Sequence, residues 1–295
     1  MIRASKAGKI VRIFHDGISS GQGHKARAET IAQRLGAFGF EVVIYDLDEL
    51  TTREKLIQDE QNLVGTVIDS YRPRRYFADI DVERSPRVLQ IIDFDRQEAW
   101  GDWILDPFSA TGEVEVTSFR GLNYAVVPDL PDFQPRAALN DHLIICLGSS
   151  SPLMLGEPLL HQLSDDWAEV TLVASEPTPF KQPHNMKMVA PKSRLEFWKL
   201  VSEHSFMISN AGVTGLERVY FQFPGICIPT EPNQRFAARA LASAGVNICS
   251  LGAGPFPPLS SLAKHEVAWN RIPEKVSIGD GLEDVLKEFV HAEPA

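Results

Sequence analysis

The sequence predicts an α/β protein of two halves, each a mostly parallel sheet covered by helices. Three observations predict it. Short, continuously apolar runs alternate with helix-spaced segments along the chain, the pattern of strands buried on both faces. A polar stretch, PDLPDFQPRAALND (128–141), interrupts the alternation, and three prolines fall within 128–135. Such composition marks a linker. After it the alternation begins again. We place the halves at 1–135 and 136–295, with the last helix able to pack back on the first half.

In the first half, KIVRIFHD (9–16), EVVIYDL (41–47), GTVIDS (65–70), RVLQIID (87–93), DWILDP (102–107) and YAVVP (124–128) read as strands. Several end in Asp, Ser or Pro. Between the first two, Ala28, Ile31, Ala32, Leu35 and Phe38 recur at helical spacing over about 24–38. In the second half, HLIICLG (142–148), EVTLVAS (169–175), MKMVA (186–190), FMISN (206–210), GICIPT (225–230) and NICSLG (247–252) read as strands. Segments 194–204, 213–222, 234–245 and 280–292 read as helices.

Composition narrows the function classes. The 295 residues, 44% hydrophobic, can bury a sizeable core in one large or two medium domains. A net charge of −10 argues against a nucleic-acid binder, which needs a basic stripe. A small anionic ligand is still served by a helix N-terminus. No apolar run approaches the roughly 18 residues of a membrane helix. The basic start runs straight into a strand, without the apolar core of a signal peptide, so a cytoplasmic location is expected. Cys146, Cys227 and Cys249 stand apart in apolar runs, as buried thiols do. No HExxH, GxSxG or EF-hand pattern occurs.

Four constellations carry chemistry. The first strand feeds GISSGQGHKAR (17–27). Gly21 and Gly23 let backbone amides approach an anion, and His24 stands at a strand's carboxyl end with an ordinary pKa suited to proton transfer. By itself the loop reads equally as a tight turn with a solvated histidine, since it is neither a Walker A motif nor a complete GxGxxG. VIDSY (67–71) brings Asp69 and Tyr71 toward the same edge; Asp69 as a cap and Tyr71 as a packing group is the plainer reading. In LGSSSP (147–152), Gly148, Ser149 and Ser150 could meet phosphate, and a serine cap followed by Pro152 explains the run equally well. In 208–241, Gly212, Val213 and Thr214 open a helix carrying Glu217, and Asn233 and Gln234 open the next. Helix N-termini suit a diphosphate, and amide side chains suit sugar hydroxyls. Asp93 and Asp95, beside Arg96, read as solvated or structural charges.

Together, GQGHKAR at 21–27, VIDSY at 67–71 and SNAGVTGLERVYFQFPGICIPTEPNQ at 209–234 resemble the UDP-sugar hydrolases of pseudaminic acid biosynthesis. Those are similar in turn to the glycosyltransferase that adds N-acetylglucosamine in lipid II synthesis. The resemblance implies a GT-B-like fold, two Rossmann-like domains with mostly parallel sheets facing a central cleft. It implies hydrolysis of a nucleotide-activated sugar, UDP-linked by preference, at the anomeric carbon, with no metal or other cofactor. His24 would assist the attacking water, with Asp69 and Tyr71 beside it. Gly148, Ser149, Ser150, Gly212, Val213, Thr214 and Glu217 would hold the nucleotide, with Glu217 on ribose. Gly21, Gly23, Arg27, Asn233 and Gln234 would contact the sugar. Transfer of the sugar to an acceptor is the first alternative, and non-catalytic nucleotide-sugar binding the second.

Overall fold

A computed structural model describes residues 8–17, 22–50, 62–78, 82, 85–93, 97–109, 116–127, 130, 133–138, 140–148, 150–174, 183–249 and 276–292. The chain forms two compact units: Met1–Pro128 with Gly279–Ala295, and Asp129–Ile278. The boundary falls a few residues before the expected one, and the last helix is counted with the first unit.

Unit 1 is a parallel sheet of β1 (Ile10–His15), β2 (Glu41–Asp46), β3 (Leu63–Asp69), β4 (Val88–Ile91), β5 (Trp103–Asp106) and β6 (Thr117–Arg120). Their order is β2-β1-β3-β4-β5-β6. Helix α1 (Gln22–Ala37) follows β1, and a short α2 (Arg74–Ala78) follows β3. Ala28, Ile31 and Leu35 of α1 are fully buried against Val11, Ile13 and Val67 of the sheet. The C-terminal helix (Leu282–His291) places Leu282, Val285, Leu286 and Phe289 in that same core. Gly65 makes room for it, since a Cβ there would lie 2.6 Å from Cζ of Phe289. Buried Arg87 donates to the carbonyls of Phe289 and Ala292, satisfying the last turn of that helix.

One strand expectation fails here. Of the run 124–128, the described residues 124–127 form no strand; the sixth strand is Thr117–Arg120. Ala125, Val126 and Val127 are buried, as an apolar run should be. However, Gly121 at φ +97° turns the chain into a 3₁₀ turn, Leu122–Tyr124, just before them. Strand β6 is a half-buried edge, and its residues TSFR carry little apolar signal.

Unit 2 is a second parallel sheet of β7 (His142–Cys146), β8 (Glu169–Val173), β9 (Met186–Val189), β10 (Phe206–Asn210) and β11 (Gly225–Ile228). Helices α3 (Glu157–Asp166), α4 (Arg194–Val201) and α5 (Val213–Tyr220) lie between them, and α6 (Gln234–Ser243) follows β11. The strand order is β11-β10-β7-β8-β9. Of the strand expected at 247–252, the described part forms one bridge, Cys227 to Ile248.

Each sheet reverses direction once. In unit 1 the chain steps from β1 to β2 and then crosses to β3 on the other side. In unit 2 it runs β7-β8-β9 and then crosses to β10. Open α/β sheets hold ligands at such switch points, outside the carboxyl ends of the strands. Those points lie at the ends of β1 and β3, and at the ends of β7 and β10. Among the described residues, no helix is long and apolar enough to cross a membrane.

Candidate active site

At the β1/β3 switch point, α1 continues its buried stripe upward in polar residues. His24 and Arg27 lie on the face of Ala28 and Ile31, one turn nearer the helix start. They are 2% and 4% exposed. Asp69, the last residue of β3, receives both. His24 Nδ1 lies 2.8 Å from its Oδ1, and Arg27 donates through Nη2 to Oδ1 at 2.7 Å and through Nε to Oδ2 at 2.9 Å. Arg27 also donates through Nη1 to Asp93 Oδ1 at 2.7 Å. Tyr71 donates to the other oxygen of Asp93 at 3.1 Å and sets its ring edge-on to His24, centroids 4.5 Å apart.

The turn that carries Tyr71 is held from β1. Asp16 accepts from Ser70 Oγ at 2.6 Å, from the Tyr71 amide at 2.7 Å and from Arg72 Nε at 3.2 Å. Tyr71 is thus fixed by a carboxylate one residue beyond the β1–β3 ladder, whose last pair is His15 with Asp69, and the Asp16 amide donates to the Asp69 carbonyl at 3.2 Å.

Electrostatics follow from this packing. Burial pulls the His24 pKa down, but the charge and hydrogen bond of Asp69, with Asp93 adding, outweigh both burial and the opposing Arg27. The net result is a raised pKa. Burial pushes the Asp69 carboxyl up, yet Arg27 and His24 bring it below its ordinary value. His24 therefore shares its Nδ1 proton with an ionised carboxylate. Among the described residues, its Nε2 takes no hydrogen bond. That is the arrangement of a general base.

Arg27 differs from the sugar contact expected of it, because Nε, Nη1 and Nη2 are all directed to buried carboxylates. Of the two roles read for Asp93, solvated or structural, it takes the structural one: it is 7% exposed and ion-paired with Arg27. Its signal in the sequence was its place just beyond an apolar strand. Asp95 and Arg96 lie outside the described residues, as does Gly21; Gly23 lies in the first turn of α1. His24, Asp69 and Asp93 each bring a donor atom within 4.8 Å of the others. Arg27 already bridges the two carboxylates there, so the charge a cation would supply is present as guanidinium.

In unit 2 the three loops singled out in the sequence meet at the β7/β10 switch point. Gly148, at φ +67°, lies under the Asn210 side chain; a Cβ there would come 2.5 Å from its Nδ2. Asn210 donates to the carbonyl of Leu147 and accepts from the Gly212 amide, both at 3.3 Å. This seats the N-terminus of α5, where Val213 and Thr214 are half-exposed. Gly215 permits the close approach of α5 to β10, since a Cβ would collide with the Asn210 carbonyl. Ser150 bonds to Thr230 Oγ1 at 3.1 Å and to Glu231 at 3.2 Å. Gln234 Oε1 accepts from the Thr230 amide at 2.9 Å. Asn233, half-exposed, precedes the first turn of α6 without capping it.

The serine cap read before Pro152 is Ser151, which accepts from the Leu153 amide with Pro152 at the first position; Ser149 lies outside the described residues. Glu217 is 3% exposed, with one oxygen on Arg194 and the other accepting from Trp198 Nε1 at 3.3 Å. Burial raises its pKa despite Arg194. The ribose contact expected of it finds both oxygens engaged. Cys146, beside this edge, has its thiol pushed up to about 11 by burial, which leaves it unreactive.

No protein-family model matches the chain, and no curated protein matches it. Solved structures do. One titled spinosyn forosaminyltransferase SpnP superposes with a TM-score of 0.51 at 14% identity, covering 98% of this chain and 96% of that one. Arabidopsis thaliana UGT89C1, complexed with quercetin, superposes with a TM-score of 0.62 at 8% identity, covering 96% and 100%. Likeness at such identity concerns the fold: an α/β chain with two parallel sheets, matching GT-B glycosyltransferase structures.

Proposed function

We propose that this chain is a nucleotide-sugar-dependent glycosyltransferase in which His24 is the general base. The observation that carries the reading is the buried His24–Asp69 pair at the switch point of unit 1. An acceptor hydroxyl gives its proton to Nε2 of His24 as its oxygen bonds to the anomeric carbon. The bond from that carbon to the diphosphate oxygen breaks, and its electron pair leaves with the nucleoside diphosphate. Asp69 stabilises the imidazolium that forms. In unit 2, the amides at Val213 and Thr214, in the first turn of α5, suit a diphosphate, with Gly212 seating that turn on Asn210. Asn233 and Gln234 suit hydroxyls of the sugar.

Hydrolysis is the second reading, favoured by the motif resemblance at 21–27 and 209–234. It differs only in that water replaces the acceptor. Transfer is preferred because the solved structures of this fold that match the chain over nearly its whole length include a named sugar transferase. The experiment is incubation of the purified protein with UDP- and TDP-sugars, with and without a panel of hydroxyl acceptors, reading nucleotide release by NMR. Release that requires an acceptor and disappears in His24→Ala supports transfer. Release in water alone that disappears in the same variant turns the assignment to hydrolysis. Turnover unaffected by the variant contradicts both.

A further inference from the structure

Of the four buried groups linked at the end of β3, the reaction proposed above uses only two, His24 and Asp69. We propose that Arg27 and Asp93 are positioning residues for that pair: Arg27 clamps the Asp69 carboxylate, and Asp93 cancels the charge that the clamp brings to the imidazole. The inference takes its functional meaning from the reading of His24 as base.

The geometry divides the labour. Arg27 grips Asp69 side-on, with Nε on one oxygen and Nη2 on the other, at 2.9 and 2.7 Å. Such a two-point hold fixes the plane of a carboxylate as a single bond cannot. The clamp has a cost. Nη2 lies 3.1 Å from Nδ1 of His24, so a full positive charge abuts the ring that must become positive. With Arg27 and Asp69 alone, proton abstraction would take the cluster from neutral to +1. Asp93, bound to Nη1 at 2.7 Å, changes that. With both carboxylates, the imidazolium completes a neutral cluster, the favourable count in a buried site.

Asp93 is itself held. Its amide donates to Gln97 Oε1 at 2.6 Å, and Gln97 Nε2 donates to the carbonyl of Ser70 at 3.0 Å. The ends of β3 and β4 are thereby tied together. The groups facing His24 are Arg27 from α1, Asp69 and Tyr71 from β3 and its turn, and Asp93 beyond β4. Asp16 at the end of β1 is occupied by Ser70, Tyr71 and Arg72.

The test is titration of His24 in the full chain, with ¹³C,¹⁵N-labelled histidine and the resonance assigned by its loss in His24→Gln. Asp93→Asn, nearly isosteric, should lower the His24 pKa by about 1 pH unit, the scale of a nearby charge. Arg27→Met should raise it, and the double variant should return toward wild type. Packing roles alone would lower melting temperature without opposite shifts. Shifts of the same sign, or none, overturn the proposal. If Arg27→Met does not fold, Asp93→Asn decides alone: a fall supports the proposal and an unchanged value overturns it. The readout needs no turnover, so opposed shifts in a protein inactive on nucleotide sugars would refute the proposed function while supporting this organisation.

Discussion

Nδ1 of His24 lies 2.8 Å from Oδ1 of Asp69, and both side chains are buried. The ionised carboxylate keeps the proton on Nδ1 and leaves the Nε2 lone pair for chemistry. In Asp69→Asn the ring loses that acceptor, and Arg27 Nη2, 3.1 Å away, can donate to Nδ1 instead. The proton then moves to Nε2 and the base is lost. We expect kcat/KM to fall by about 10²–10⁴, the range for removing general-base action or its tautomer. Histidine ¹⁵N shifts should show the exchanged tautomer.

The pH profile has a fixed sign. Only neutral His24 accepts a proton, and its pKa is raised because Asp69 and Asp93 outweigh burial and Arg27. The log of kcat/KM should therefore rise with pH through a limb above the ordinary histidine value of about 6.5. A profile of kcat/KM over pH 5 to 9 checks it.

Much of this site could be read from the sequence, and the part that could not has a physical cause. His24 stood out as a histidine between an apolar strand and a helix, and Asp69 and Tyr71 as polar residues ending another strand. Their union depends on β1 and β3 being neighbours, which follows from topology rather than local pattern. Arg27 was legible as a position but not in its role, because its partners lie 42 and 66 residues away. Glu217 misled for the same reason: its partners Arg194 and Trp198 lie on a different helix. The strand expected at 124–128 shows that an apolar run reports burial rather than a ladder.

Unit 2 depends on two glycines where its loops touch. Gly148→Ala would place a methyl on Asn210 at a positive φ, and Gly215→Ala would press α5 away from β10. Each should cost about 1–3 kcal/mol of stability and raise KM for the nucleotide sugar. Denaturant melts and steady-state kinetics read the two effects separately.

The C-terminal helix is secured by Arg87, whose donors reach the carbonyls of Phe289 and Ala292. Arg87→Met should remove about 1.5–3 kcal/mol, the worth of hydrogen bonds to a charged group. Hydrogen exchange should quicken at 285–292 before the rest of unit 1.

His204 sets an acid limit on unit 2. It is buried, with Nε2 2.7 Å from Thr171 Oγ1 and Nδ1 2.8 Å from the Leu200 carbonyl. Burial lowers its pKa, so the unfolded chain binds a proton that the folded chain does not. Stability is complete above the ordinary histidine value and declines as pH falls toward the depressed one. His204→Gln should flatten the decline in melting temperature between pH 7 and 5.

Acceptor-dependent release of nucleoside diphosphate, measured by NMR for wild type and His24→Ala across UDP- and TDP-sugars, tests the proposed function most directly. The proposed base predicts glycosylated product from the wild type and a loss of at least about 10²-fold in the variant, with the fold retained. Equal product from the variant, or no sugar transfer or nucleotide release from any donor, would contradict it.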